Sequence, residues 1–170
     1  MISSGSIVNA MGLERTAAQT AGMKTLNEFD GSPEAMRRFM EFIVHDHSKI
    51  TEQLIEQRVA MATMPGHAEA QRPQRAYRGA LTSDPGARQR FDIRHRLPMT
   101  KVPMTMVWGA KDNFAPPEFA VHLAAMLPNV EFVMFENSGY QAQNDGTERF
   151  NRLATDFFAA AAESIGAAAQ

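Results

Sequence analysis

The tract Val102-Pro-Met-Thr-Met-Val-Trp-Gly-Ala-Lys-Asp-Asn-Phe-Ala-Pro-Pro117 limits the fold more than any other part of the chain. Val102 to Trp108 is a short apolar run bounded by Pro103 and Gly109, the pattern of a strand buried on both faces of a parallel sheet. Pro116-Pro117 then opens a helix in which Phe119, Ala120, Leu123, Ala124 and Leu127 recur at helical spacing, and Pro128-Asn129 closes it. Val130 to Phe135 reads as the next strand. Thr147 is placed to cap a last helix whose Phe150, Leu153, Ala154, Phe157 and Phe158 form an apolar stripe. This βαβα order predicts an α/β fold. The closing Ala-rich segment to Gln170 has little to pack against and is expected to fray.

Upstream of Pro98 the periodicity is helical. Ser32-Pro33-Glu34 combines a serine cap, a proline at the first helical position and an early acid, and Met36, Phe39, Met40 and Ile43 follow along one face. Thr51 caps a second helix that carries Glu52 in its first turn, lines Ile50, Leu54 and Met61 along one side, and ends at Pro65-Gly66. From Gly66 to Gly86 the pattern weakens, and Pro73, Gly79 and Asp84-Pro85-Gly86 predict a short helical or irregular stretch.

The 170 residues, 44% of them hydrophobic, suffice for one core with a small insert. A net charge of -2, with the arginines between Arg88 and Arg96 interrupted by Phe91, Asp92 and Ile93, argues against a nucleic-acid partner. No signal peptide and no membrane span is expected, and the absence of cysteine fits a reducing compartment, so a cytoplasmic setting is the expectation. His45-Asp46-His47 invites a metal reading, but residues i and i+2 diverge on a helix and no further ligand is placed beside them. Neither a metal nor a cofactor is expected. The twelve methionines, Met99, Met104 and Met106 among them, read as core packing.

Taken together, these tracts resemble the C-terminal half of an α/β-hydrolase. More narrowly they resemble the meta-cleavage-product hydrolases, which split carbon–carbon bonds in ring-opened aromatic compounds such as 2-hydroxy-6-oxo-dienoates. The resemblance covers essentially the whole chain, and its most subfamily-specific part is Phe42-Ile-Val-His-Asp-His-Ser-Lys-Ile-Thr-Glu-Gln-Leu-Ile-Glu-Gln-Arg58. It implies a partial α/β-hydrolase sheet, its last strands only, flanked by helices and carrying a helical lid segment. Residues 1–24, with Ile2-Ser-Ser-Gly5 as a loop, would follow core strand six; residues 25–97 would form the lid and return; residues 98–170 would be the C-terminal βαβα part.

The resemblance also assigns candidate site residues. Asp112 takes the position of the triad acid, which orients a histidine in a working site; read alone, it is equally a solvated turn aspartate. Within Asn137-Ser-Gly-Tyr-Gln-Ala-Gln-Asn-Asp145 the histidine belongs directly after Gly139, and Tyr140 stands there. A phenol offers one oxygen and an unperturbed pKa near 10, whereas the relay needs two ring nitrogens trading protons near neutrality. Loss of one triad member costs on the order of a thousandfold to a millionfold in rate. Gln141 replaces an aromatic in the same loop. Arg58 matches a lid arginine that faces a substrate carboxylate, Phe114 a pocket-wall aromatic, and Ile43 a lid phenylalanine; without the resemblance Arg58 reads as a helix-surface residue.

No Gly-x-Ser-x-Gly occurs in the sequence, so no nucleophile elbow is present. The chain is therefore expected to be catalytically incomplete alone. Two alternatives stand beside that expectation: half of a split hydrolase completed by another chain, or a non-catalytic module that binds an acid. The expected small-molecule partner is a carboxylic acid of the aromatic-degradation type. A sheet reduced to its last strands leaves an open edge, so self-association or a missing N-terminal half is expected as well.

Overall fold

The computed structural model describes residues 16–92 and 94–168; the loop expected at Ile2 to Gly5 lies outside them. In order, the elements are α1 (Ala17–Asn27), α2 (Pro33–Ile43), a 3₁₀ turn (His47–Lys49), α3 (Glu52–Ala62), α4 (His67–Ser83), α5 (Pro85–Phe91), a second 3₁₀ turn (Leu97–Met99), β1 (Thr105–Gly109), α6 (Glu118–Met126), β2 (Glu131–Phe135), α7 (Ala142–Asp145) and α8 (Thr147–Ala168). No helix among the described residues is long and apolar enough to cross a membrane.

The two strands pair in parallel, with Thr105 opposite Glu131 and Gly109 opposite Phe135. Because side chains alternate across a strand, Met106 and Trp108 enter one apolar layer with Phe119, Ala120, Leu123 and Leu127 of and beside α6. Val107 points the other way and joins Phe135 and Ala142, against which Phe150 and Leu153 of α8 pack. The pair is thus a sheet covered by a helix on each face, as the apolar run of β1 requires. Trp108 is 1% exposed and satisfies its indole by donating Nε1–H to the Ala115 carbonyl at 2.6 Å.

The lid supplies a separate cluster of Met36, Met40, Ile43, Val44, Ile50 and Ile55 from α2, α3 and the turn between them. Both helices start where the sequence indicates. Ser32 Oγ accepts from Ala35 N at 3.2 Å, and Thr51 Oγ1 accepts from Leu54 N at 3.1 Å. Arg37 and Glu52 add an exposed ion pair between the two helices, worth little in water. At the end of α3, Gly66 takes φ 82°, a left-handed conformation that suits glycine and turns the chain into α4.

Several local expectations differ from the structure: β1 begins at Thr105 rather than Val102, which is exposed, and Met61 and Met99, expected to pack, are 65% and 74% exposed because they lie on outward-facing turns of chain. α1 was not anticipated, although Thr16 and Gln19 close a reciprocal capping box at 3.1 and 2.9 Å. The stretch after Gly66 is a single helix of 17 residues that runs through Pro73. Ala68, Ala70, Gln71, Arg72, Gln74, Arg75 and Ala76 are strong helix formers, and their sum carries the helix past one missing N–H. Thr147 is the first residue of α8 and donates its hydroxyl back to the Gln143 and Asn144 carbonyls, because the short helix α7 precedes it. The Ala-rich end does not fray at its start; α8 continues to Ala168, since alanine holds a helix without tertiary help.

Met40 is fully buried at the centre of the lid cluster. Met40→Ala is expected to cost about 2–5 kcal/mol, and Met64→Ala, at a position 59% exposed, less than about 0.5 kcal/mol, both read from urea unfolding.

Candidate functional site

The site is built where the carboxyl end of β1, the loop after β2 and the start of the lid return meet. Ala110 N donates to the Phe135 carbonyl at 3.0 Å and Lys111 N to the Ser138 carbonyl at 2.9 Å, so the two strand ends continue side by side into their loops. A Cβ on Gly109 would strike the Ser138 and Gly139 carbonyl oxygens, and one on Gly139 would lie 2.8 Å from the Ile43 carbonyl. Both positions therefore require glycine for close backbone approach. Three segments far apart in sequence, β1, the β2 loop and the lid, touch here through their main chains.

Asp112 is 3% exposed, and its Oδ1 accepts from Phe114 N and Ala115 N, each at 2.7 Å. These bonds wind the acid loop into a tight turn and place Phe114 behind the carboxylate. The reading of Asp112 as a solvated turn residue fails, because the side chain is buried within the turn it organises. A polar cleft of about 450 Å³ opens beside it, lined by His45, Lys111, Asp112, Asn113 and Glu118.

Tyr140 stands across from that loop. Its ring lies 5.0 Å from Phe114 at 55°, and Phe114 in turn meets Phe42 edge-on at 6.3 Å. Tyr140 packs against both the sheet cluster and the lid cluster, so it is an aromatic bridge between the two layers. Burial, and after it the Asp112 carboxylate, push its phenol above the ordinary tyrosine value, against a smaller pull from Arg78. The side chain is therefore a neutral phenol at neutral pH.

The lid meets the same loop from above. Gln141 N donates to the Ile43 carbonyl at 3.2 Å, and Gln141 Oε1 accepts from Asn144 Nδ2 and, at 3.5 Å, from Arg58 Nη2 on α3. Asp145 at the end of α7 accepts from Gly139 N at 2.7 Å, Asp46 N at 2.7 Å and His45 N at 3.1 Å. Of the six residues singled out in the sequence, Ile43, Phe114 and Tyr140 share the lid cluster's packing, and Arg58 joins them through Gln141. Asp112 faces the polar cleft, whose lining includes neither Arg58 nor Gln141. His47 Nε2 lies 3.0 Å from the Glu41 carbonyl, a local turn contact. Asp145 is the residue the sequence reading missed. Its partners are backbone amides, two of them 99 and 100 positions away, which no residue pattern reveals.

A phenol with a raised folded pKa contributes stability that is fully present below the unfolded value near 10 and is lost as pH rises through the folded value. Spectrophotometric titration is expected to show a late-ionising phenolate that is absent from Tyr140→Phe, together with a shallower alkaline loss of stability in that variant. Identical alkaline profiles for the two proteins would contradict the burial of Tyr140.

No protein-family model matches the chain. Among curated proteins, a 2-hydroxy-6-oxononadienedioate/2-hydroxy-6-oxononatrienedioate hydrolase from Paraburkholderia phymatum is 33% identical over 141 residues, covering 81% of this chain and 46% of the relative. A second hydrolase of that name from Pseudomonas putida is also 33% identical, with the same coverage of 81% and 46%. Among solved structures, a meta-cleavage product hydrolase from Pseudomonas fluorescens superposes with a TM-score of 0.62 at 22% identity, over 82% of this chain and 50% of the other. The 2-hydroxy-6-oxo-6-phenylhexa-2,4-dienoate hydrolase of a Rhodococcus strain gives 0.62 at 16% identity, over 85% and 50%. The chain thus spans about half the length of the proteins it matches. Over 81% of its own length it carries a partial α/β-hydrolase fold and resembles the C-terminal portion of the meta-cleavage-product hydrolases.

Proposed function

We propose that this chain is the lid and acid-loop portion of a carbon–carbon bond hydrolase of the meta-cleavage class, able to hold the carboxylate of a dienoate and unable to cleave it alone. The observation that carries the reading is the meeting of Arg58 with Gln141 beside the Phe114–Tyr140 ring pair. A guanidinium edge pairs with a carboxylate in a planar, bidentate way, and the rings offer an apolar wall to a conjugated chain. Both curated relatives are named as hydrolases of 2-hydroxy-6-oxononadienedioate and 2-hydroxy-6-oxononatrienedioate, which supports a conjugated carboxylic acid as the ligand class.

The same geometry argues against turnover by this chain. Tyr140 adjoins the acid loop at the base position, and its raised pKa leaves it a poor proton acceptor at neutral pH. Asp112 has one oxygen committed to two backbone amides, an arrangement that shapes the loop whether or not an imidazole is present. With no Gly-x-Ser-x-Gly in the sequence, the nucleophile is absent as well. A cytoplasmic setting goes with this proposal, since a cysteine-free chain needs no oxidising compartment.

A second reading, completion by another polypeptide, draws on one observation. Among the described residues β1 pairs only with β2, although it is apolar on both faces and carries none of the charges that protect an edge. Beside it lies an apolar groove of about 250 Å³ lined by Met104, Thr105, Val107, Leu153, Phe157 and the exposed Phe158. An upstream half-sheet with its own nucleophile would extend the sheet there.

Calorimetric titration with benzoate, a stable aromatic carboxylate, tests the first reading. Saturable binding is expected, and Arg58→Ala is expected to weaken it by about 1.5–3 kcal/mol, the loss of a charge-assisted hydrogen bond. No binding at millimolar benzoate would overturn the reading. Addition of a 2-hydroxy-6-oxo-dienoate is expected to give no loss of the dienoate chromophore above background; clear turnover by the purified chain would overturn the claim of incompleteness.

A further inference from the structure

The Asp145 carboxylate joins two segments that the proposed ligand contacts leave only loosely connected. Its Oδ1 accepts from Asp46 N at 2.7 Å, while its Oδ2 accepts from both Gly139 N at 2.7 Å and His45 N at 3.1 Å. His45 and Asp46 begin the lid return that leads into α3 and so to Arg58, and Gly139 immediately precedes Tyr140 and Gln141. Asp145 is itself tied to the same loop, because its N–H donates to the Gln141 carbonyl at 3.2 Å. Among the described residues, the main-chain hydrogen bond between these segments that does not use the carboxylate is the one from Gln141 N to the Ile43 carbonyl, beside which Tyr140 packs on the lid cluster. That single neutral bond and the apolar packing hold the segments near each other without fixing their exact orientation. Three bonds to a carboxylate fix the two segments as a rigid pair, and each is about twice as strong as a neutral one.

We infer that Asp145 is a positioning residue: its carboxylate latches the lid return at His45–Asp46 onto the loop at Gly139 and thereby sets the spacing between Arg58 and Gln141 on which carboxylate recognition depends. This rests on the acid-binding reading proposed above for Arg58 and Gln141. The latch acts at a distance from the ligand, through the entry to α3 on one side and the peptide before Tyr140 on the other. Aspartate suits it because it brings two acceptor oxygens and no donor. Asparagine would keep one acceptor and turn an NH₂ group toward backbone N–H groups that cannot accept from it. Glutamate would keep both oxygens on a stem one methylene longer.

Two measurements on the full chain test the latch, one of which needs no ligand. In the absence of ligand, Asp145→Asn is expected to accelerate hydrogen exchange at the amides of His45, Asp46 and Gly139 and to leave that of Val107 in β1 unchanged. In benzoate titrations the same variant is expected to raise Kd about tenfold, the outcome if the binding-competent spacing falls to about one molecule in ten. Asp145→Glu is expected to recover part of both losses. A merely structural residue would add its effect independently of Arg58. A residue acting through Arg58 is expected to show non-additivity, with Asp145→Asn costing less in an Arg58→Lys background than in the wild type. Unchanged exchange at the three amides, an unchanged Kd, or full additivity with Arg58→Lys would each overturn the inference. Should Asp145→Asn fail to fold, Asp145→Glu carries the same comparison, and a wild-type Kd and additivity there overturn it equally. Should the wild type fail to bind benzoate, the acid-binding reading falls first, and the exchange rates alone then support or overturn the latch.

Discussion

The structure depends on one constraint: the main chains of β1, the β2 loop and the lid return must touch. Gly109 lies against the Ser138 and Gly139 carbonyls, and Gly139 lies against Ile43, so two missing Cβ atoms let three segments stack. Hydrogen bonds then use the proximity. Lys111 N bonds Ser138, Gln141 N bonds Ile43, and Asp145 gathers Gly139, His45 and Asp46. Around this junction the apolar layers close, with Tyr140 contributing to the sheet cluster on one side and the lid cluster on the other. The lid is therefore held to the sheet by both backbone contact and side-chain packing.

The Asp112 turn is held by its own backbone hydrogen bonds, and the Phe114 and Tyr140 rings meet at a tilt of 55° through apolar packing. The Tyr140 ring fills the space between two apolar layers, and burial keeps its hydroxyl protonated. Chemistry and architecture are separable here. The Asp112 loop is shaped by its own backbone bonds, and Arg58 approaches Gln141 from the lid.

Much of this was legible from residue order. β1, α6 and β2 follow from an apolar run, a proline-opened amphipathic helix and a second apolar run, and the caps at Ser32 and Thr51 lie where the residues put them. Capping chemistry was missed at Thr16, where a glutamine rather than a glutamate completes the box. It was misassigned at Thr147, where α7 intervenes. In α4 the surrounding helix formers outweigh a proline and a glycine that would mark a break. The site residues came from a resemblance, and the structure brings Ile43, Phe114, Tyr140, Gln141 and Arg58 together, with Asp112 bonded to Phe114 N beside them and also lining a polar cleft. Asp145 had no signature at all, since a carboxylate that bonds only main-chain N–H groups leaves no partner residue to recognise in sequence.

If the lid and the sheet are one unit joined at this junction, they must unfold together. Trp108 is the sole tryptophan and lies buried in the sheet layer, whereas the far-ultraviolet circular dichroism is dominated by helices, those of the lid among them. Thermal unfolding followed by both signals on the same sample is the most direct measurement. Coincident transitions are the result this account predicts. A circular dichroism transition that precedes the loss of the Trp108 signal would show the lid melting off a persisting sheet, and would contradict it.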